Sequence, residues 1–217
     1  MTGSRTRAIA LAALLAALPQ AGALADAPGP AGAAGLPAAV VGRAPAVADA
    51  AAAAGLPESA RAALGAPSLA GAGTLRWFGF RVYDAQLWTG GEGLDPRDPT
   101  SRPFALELRY ARTLSGDAIA DRSAEEIARL GRGDAEARQA WHAAMRRLFP
   151  DVSEGDRILG LHRPGGAARF YLNGRLLGEV EDPRFGPAFF AIWLDPATVA
   201  PALREALLGP AAQAMSR

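Results

Sequence analysis

Arg76 and Tyr83 are the two residues of this sequence that we single out as ligand contacts. Arg76 lies between two large apolar residues in an aromatic and β-branched stretch, so its guanidinium is predicted to lie near the core. A charge in that position needs an anionic partner or a route to water. The partner is either an internal carboxylate, with Glu107 and Asp84 as candidates, or the anionic group of a ligand. An internal carboxylate is the commoner case in proteins generally.

The geometry of this pair depends on the residues Phe78 and Gly79. If they form a two-residue hairpin loop, Arg76 lies opposite Arg81 and Thr74 lies opposite Tyr83, so that these four side chains share one face. If the glycine is only a bulge within one long strand, Arg76 and Tyr83 need not meet. The sequence leaves both alternatives open.

Composition excludes several kinds of chemistry. All 23 basic residues are Arg, which excludes a Walker A lysine and a Schiff-base lysine, and the absence of Cys excludes thiol catalysis. We therefore expect no cofactor and no metal. The formal net charge of +1 gives no reason to expect nucleic acid or an anionic membrane as a partner. We predict that the two histidines, His142 and His162, are half-exposed and not catalytic, and that Glu125 and Glu126 form a charge pair at a helix start.

The stretch from 149 to 194 organises the predicted fold. Strands over 156–163, 168–172 and 175–180 form an antiparallel meander, in which Asn173-Gly174 is a strong hairpin signal because both turn residues need positive φ. A helix follows over 188–194 and is apolar on nearly every side, which is typical of a buried helix. With a further amphipathic helix over 134–148, the pattern predicts an α+β domain, an antiparallel β-sheet with helices packed on one face.

The amino-terminal third has a different character. Two arginines, an apolar run and Ala23-Leu24-Ala25 predict a signal peptide over 1–25, and therefore an exported protein that is periplasmic or secreted. Residues 26–66 are rich in Ala, Gly and Pro and are predicted to be a flexible leader. The folded domain is predicted over 67–210, followed by a short tail over 211–217. Oligomeric state is left open.

Motifs spread over 67–209 resemble the chalcone isomerase-like superfamily, specifically its exported bacterial branch. The matching stretches keep their order and spacing along the chain. They include Gly71-Ala-Gly-x-x-Arg76, Val82-Tyr83-x-Ala85-x-Leu87, Leu106-x-Leu-x-Tyr110, Ser123-x-x-Glu126, Phe149-Pro-Asp-Val-x-x-Gly-Asp156, Arg169-Phe-Tyr-x-Asn-Gly174 and Phe189-Phe-x-Ile-Trp-Leu194. The resemblance implies an open-faced β-sandwich with a cleft between the sheet and its helices.

The resemblance also implies roles for single residues. Arg76 falls on the position of the arginine with which true isomerases neutralise a phenolate. Tyr83 stands where those enzymes carry a threonine, and Ile192 stands in the place of a later hydroxyl residue. An Arg and Tyr pair resembles instead the fatty-acid-binding relatives, in which both side chains hold a carboxylate.

We therefore predict a non-catalytic binder of a fatty acid or similar amphiphilic carboxylate, with Arg76 and Tyr83 as anchors and no catalytic residue. The apolar wall of the site is predicted to consist of Phe189, Phe190, Ile192 and Trp193. The first alternative is an intramolecular lyase of the chalcone isomerase type, in which Arg76 stabilises developing negative charge. The second alternative is a structural or partner-binding module without a ligand.

Overall fold

The computed structural model describes residues 53–95 and 97–209 of the 217-residue chain. The predicted signal peptide, residues 26–52 of the predicted leader and the predicted tail lie outside these ranges. None of the helices in the described ranges is both long and apolar enough to cross a bilayer. The elements in chain order are α1 (Glu58–Leu64), β1 (Ser68–Trp77), β2 (Phe80–Thr89), β3 (Phe104–Tyr110), α2 (Gly116–Arg129), α3 (Ala135–Leu148), β4 (Arg157–His162), β5 (Ala168–Leu172), β6 (Arg175–Val180), α4 (Phe185–Leu194) and α5 (Pro201–Leu208).

The six strands form one antiparallel sheet in the order β1 to β6, so each strand pairs with its neighbours in the chain. Asn173 and Gly174 have φ values of 50° and 85°, which confirms the predicted hairpin turn between β5 and β6. Phe78 and Gly79 have φ values of 47° and 82°, so the hairpin alternative for β1 and β2 is the correct one. The predicted α+β class is confirmed.

Four helices, α2 to α5, cover one face of the sheet and enclose the main core with it. Helix α4 is buried on most of its surface, as its apolar sequence predicts, and Phe185 and Phe190 are fully buried. Helix α3 buries the predicted stripe that includes Ala137, Trp141 and Met145. Helix α5 lies on β1, and the absence of a side chain at Gly71 is required because a Cβ there would come within 2.1 Å of the Ala206 carbonyl oxygen.

Helix α1 covers part of the opposite face of the sheet, which we call the outer face. Its residues Ala60 and Leu64 are buried with strand residues that alternate away from the main core, among them Trp88 and Leu159. The Ser59 hydroxyl is hydrogen-bonded to the Tyr171 hydroxyl at 2.5 Å. Residues 53–66 therefore differ from the predicted flexible leader. The reason is that a few apolar side chains at helical spacing suffice to stabilise a short helix when the sheet already offers an apolar surface for it to pack on.

Helix α2 also differs from its prediction. We predicted a helix start at Glu125 and Glu126, whereas a single helix runs from Gly116 to Arg129 with Ser115 as its N-cap. The Ser123 hydroxyl donates to the Ile119 carbonyl oxygen at 2.8 Å, one helical turn back, instead of capping a new helix. Glu126 therefore lies near the end of this helix and not at a helix start.

Candidate functional site

A β-bulge in β2 separates the two predicted ligand contacts. Arg76 pairs with Arg81 as the hairpin predicts, but the next pair is Leu75 with Tyr83, because Val82 is an extra residue in β2. Our prediction that Thr74 faces Tyr83 is therefore wrong. Side chains alternate along β1, so Tyr83 lies on the face of Leu75, and Arg76 lies on the other face.

The Arg76 side chain is exposed on the outer face near the hairpin turn. Its Nη1 atom donates to the Gly79 carbonyl oxygen at 3.2 Å. Asp84, one of the internal partners considered for Arg76, instead accepts from the Thr74 hydroxyl at 2.7 Å and from Arg81 Nη1 at 3.3 Å. The structure does not bring Arg76 and Tyr83 together.

Glu107, the other internal candidate, also has a different neighbour. Its Oε1 atom lies 3.9 Å from Nη1 of Arg157, on the adjacent strand β4. Burial raises the pKa of the Glu107 carboxyl, and the positive charges of Arg157 and Arg109 oppose that rise. The charge of this carboxylate is thus balanced within the sheet.

Tyr83 lies between the sheet and the helices, half-buried, with its hydroxyl directed to α4. Trp193 Nε1 donates to this hydroxyl at 2.9 Å, and the Tyr110 ring on β3 packs edge-on against the Tyr83 ring at 6.1 Å. Burial raises the pKa of Tyr83 to about 12, and the negative charge of Glu126 contributes to the rise. The hydroxyl is therefore protonated at neutral pH and able to donate a hydrogen bond while it accepts one from Trp193.

An ion cluster lies on α2 around the buried carboxylate of Glu126. The Glu126 side chain is only 4% exposed, and it is bonded to Arg122 Nη2 and, at 2.7 Å, to Arg129 Nε. Arg122 also contacts Glu125 at 2.9 Å. The charges of Arg122 and Glu126 both act on the Tyr83 hydroxyl. Sequence reasoning missed this cluster, although arginines four residues before and three residues after Glu126 are the spacing of intrahelical ion pairs.

The predicted apolar wall is only partly where we expected it. Trp193 contacts Tyr83 through its indole nitrogen and packs against Phe189 at 5.4 Å, and Ile192 is half-buried beside the main core. Phe190 instead points to the far end of the core, where its ring packs against Phe104 at 4.9 Å. Phe190 is thus a core residue, whereas Trp193 lies next to Tyr83 and Phe189 lies behind Trp193.

The two histidines have different environments. His142 lies on the surface, with Nε2 hydrogen-bonded to Asp121 Oδ1 at 2.6 Å. His162 is fully buried, contrary to our prediction, and its Nε2 donates to the Thr100 carbonyl oxygen at 2.9 Å. Burial lowers the pKa of His162.

Within the described part of the chain, no three His, Asp or Glu side chains are grouped so that they could hold a metal ion.

A cavity of about 610 Å³ lies next to α1, away from Tyr83. Ser59 and Ala63 of α1 line one side, and Arg163 and Arg169 line the other. The Arg163 Nε atom is buried and has no hydrogen-bond partner among the described residues. Arg169 is held by Glu179 at 2.6 Å. This cavity is open and basic, and it did not follow from the sequence because it exists only where α1 packs on the sheet.

Comparisons with known proteins agree with this architecture. An uncharacterized protein of Haemophilus influenzae is 30% identical over 133 residues, a match that covers 61% of this chain and 63% of that protein's length. A crystal structure of a fatty-acid binding protein of Arabidopsis thaliana shares the fold, with a TM-score of 0.51 and 13% identity over 70% of this chain and 91% of that chain. The chalcone isomerase-like family model matches residues 48–209, three quarters of the sequence and all of the described sheet. The chain therefore belongs to the chalcone isomerase-like family.

Proposed function

We propose that this protein binds a fatty acid or similar amphiphilic carboxylate without converting it, and that the head group lies at the Tyr83 hydroxyl. The observation that carries the proposal is the hydrogen bond from Trp193 Nε1 to Tyr83. It occupies an acceptor site of the hydroxyl and leaves its proton for a ligand oxygen. The structural relative from Arabidopsis thaliana is described as a fatty-acid binding protein, which supports the same class of ligand.

The cation of the site is Arg122 in this proposal, in place of the Arg76 of our sequence-based prediction. Arg122 lies on α2 and its charge acts on Tyr83, whereas Arg76 is exposed on the outer face. Glu126 holds the Arg122 guanidinium in place, so the side-chain entropy of fixing it is already lost before a ligand arrives. The ligand carboxylate would then receive one hydrogen bond from Tyr83 and a charge-assisted one from Arg122.

The acyl chain would extend along the apolar side of α4. Trp193 is buried and bonded to Tyr83, and its chain neighbour Ile192 is half-buried against the main core, so the two supply the apolar surface in this proposal. Burial of apolar surface contributes about 25 cal/mol per Å², so that the chain and not the head group supplies most of the affinity.

The placement of Arg76 favours binding over catalysis. The family includes both enzymes and non-catalytic binders. The resemblance assigns the catalytic cation of the isomerases to Arg76, and Arg76 lies on the face of the sheet away from Tyr83, so the isomerase arrangement is not formed at the Tyr83 hydroxyl. The alternative of an intramolecular lyase predicts faster loss of chalcone absorbance than in buffer alone. The alternative of a structural or partner-binding module predicts that no ligand is retained.

The test is mass spectrometry of the small molecules released when the purified protein is denatured. We expect a stoichiometric long-chain carboxylate in the wild-type protein and in Arg76→Ala, and a loss of about tenfold or more in Tyr83→Phe. Arg163→Ala is the matched control for the cavity beside α1. Ligand retained in Tyr83→Phe but lost in Arg163→Ala or Arg76→Ala would place the site elsewhere and overturn our assignment.

Export is a second part of the proposal. It depends on the signal peptide predicted for residues 1–25. Determination of the amino terminus of the protein expressed with its own signal peptide would test this prediction. Cleavage after Ala25 would leave Asp26 as the first residue, and an intact Met1 would contradict export by this route.

A further inference from the structure

The turn between β1 and β2 presents two aromatic side chains to solvent. Four large apolar residues of the described chain are strongly exposed, and two of them, Phe78 at 76% and Phe80 at 66%, are at this turn. The other two, Leu176 and Val199, are isolated single residues elsewhere, which is normal for a protein surface. We call Phe78, Gly79 and Phe80 the hairpin tip.

The backbone conformation at Phe78 is unfavourable for a bulky residue. Its φ of 47° is in the left-handed region, which bulky residues seldom adopt and which Asn or Gly accept more readily. The Phe78 ring is in edge-on contact with Trp77 at 4.9 Å, but most of its surface remains in water. Neither the turn nor the core explains a phenylalanine at this position. A contact outside the chain would explain it.

The tip also extends beyond the rest of the sheet. Strand β3 ends at Tyr110, which pairs with Tyr83, and the turn residue Gly79 lies four positions further along the hairpin. At about 3.3 Å per residue the tip extends on the order of 10 Å past the end of β3. It can therefore reach a flat surface that the rest of the sheet does not touch.

Two guanidinium groups lie directly behind the aromatic side chains. Arg76 and Arg81 form a cross-strand pair next to the turn, and both are exposed. Asp84 lies further back and is in contact with Arg81 at 3.3 Å, so the net charge of this part of the hairpin is positive. Aromatic residues at the end and arginines behind them match the depth profile of a bilayer, with apolar rings at the acyl boundary and cations among the phosphates.

We propose that the hairpin tip docks on an anionic lipid bilayer, inserting Phe78 and Phe80 while Arg76 and Arg81 contact the head-group phosphates. The near-neutral charge of the whole chain does not oppose this, because the interaction depends on the local charge of the hairpin. A protein partner fits less well. Two phenylalanines bury roughly 300–500 Å² at most, well below the roughly 800 Å² per partner of a specific protein interface.

The experiment is co-sedimentation of the full chain with vesicles of phosphatidylcholine mixed with phosphatidylglycerol. We expect binding to these vesicles, weaker binding to phosphatidylcholine alone, and a fall of about tenfold or more in the double variant Phe78→Asn/Phe80→Thr. Asparagine suits the positive φ of the turn and threonine suits a strand, so this variant is expected to fold. Leu176→Ser is the matched control, because Leu176 is 62% exposed but lies on β6.

A second variant separates charge from insertion. Arg76→Gln/Arg81→Gln should weaken binding to the anionic vesicles and reduce its dependence on salt. Unchanged binding by the tip double variant, or an equal loss in Leu176→Ser, would overturn the proposal. So would a dimer that is present in the wild-type protein and lost in the tip variant, since the tip would then contact a second copy. Fatty-acid content is measured separately and does not enter this outcome.

Discussion

The indole nitrogen of Trp193 donates to the hydroxyl of Tyr83 across 2.9 Å, although the two residues are 110 positions apart in the sequence. This bond joins β2 to α4 across the space between sheet and helices. It orients the hydroxyl and makes Tyr83 part of the site that we propose. Because both side chains are long enough to meet between the layers, the hydrogen bond also links the sheet to the helices.

Removal of the Tyr83 hydroxyl should weaken folding as well as ligand binding. Tyr83→Phe leaves the Trp193 N–H without its acceptor, and we expect a loss of about 1–2 kcal/mol of unfolding free energy. Urea denaturation measures this loss. A double-mutant cycle with Trp193→Phe supplies the control, because the two losses should not add if the hydrogen bond is responsible.

The ionisation of Tyr83 should appear as a loss of stability in alkali. Its pKa in the folded protein is about 12, above the value of about 10 expected for an unfolded chain. The stabilising contribution of the neutral hydroxyl is therefore complete below pH 10 and is lost as pH rises toward 12. We expect the unfolding free energy to fall over this range less steeply in Tyr83→Phe. Equal slopes for both proteins would contradict the assignment.

The buried carboxylate of Glu126 should contribute more to the unfolding free energy than the exposed carboxylate of Glu125 does. Glu126→Gln removes the charge that holds Arg122 and Arg129, and we expect a loss of about 2 kcal/mol in urea denaturation. Glu125→Gln is the matched control. The Glu125 side chain is 53% exposed, so its pairing with Arg122 should contribute less than about 1 kcal/mol. Similar losses in both variants would indicate that burial of Glu126 does not matter.

Helix α1 should behave as part of the folded domain. Leu64→Ala removes a buried side chain that packs on the outer face, and we expect a loss of about 2–3 kcal/mol. Leu176→Ala, at an exposed position, should change stability by less than about 0.5 kcal/mol. If residues 53–66 were a flexible leader, both variants would match the wild-type protein.

His162 should make the protein less stable in mild acid. Burial lowers the pKa of His162 in the folded state below its ordinary value, so the unfolded chain binds the proton more readily. The contribution of neutral His162 is complete above about pH 6.5 and decreases as pH falls below that value. Thermal denaturation of the wild-type protein and of His162→Gln across this range measures the effect. The variant should lose less stability on acidification, and parallel curves would contradict the prediction.

Local patterns in the sequence determined most of the fold. The apolar alternation, the Asn173-Gly174 turn and the amphipathic stripe of α3 act over neighbouring residues, so the strands of the meander and the class of the domain could be predicted from them. The same holds for burial of α4, whose sequence leaves no polar face. Its residues Phe189 and Phe190, both within the predicted stretch, are buried as its composition indicates.

Only the tertiary structure decided which side chains meet at the site. One extra residue in β2, Val82, places Tyr83 on the inner face with Leu75 and leaves Arg76 on the outer face, and no local pattern signals a bulge at that position. The positions of Trp193 and of α1 depend on contacts between residues about a hundred positions apart. Such contacts form because two surfaces fit and exclude water together, a property that belongs to the packed chain and not to any stretch of the sequence.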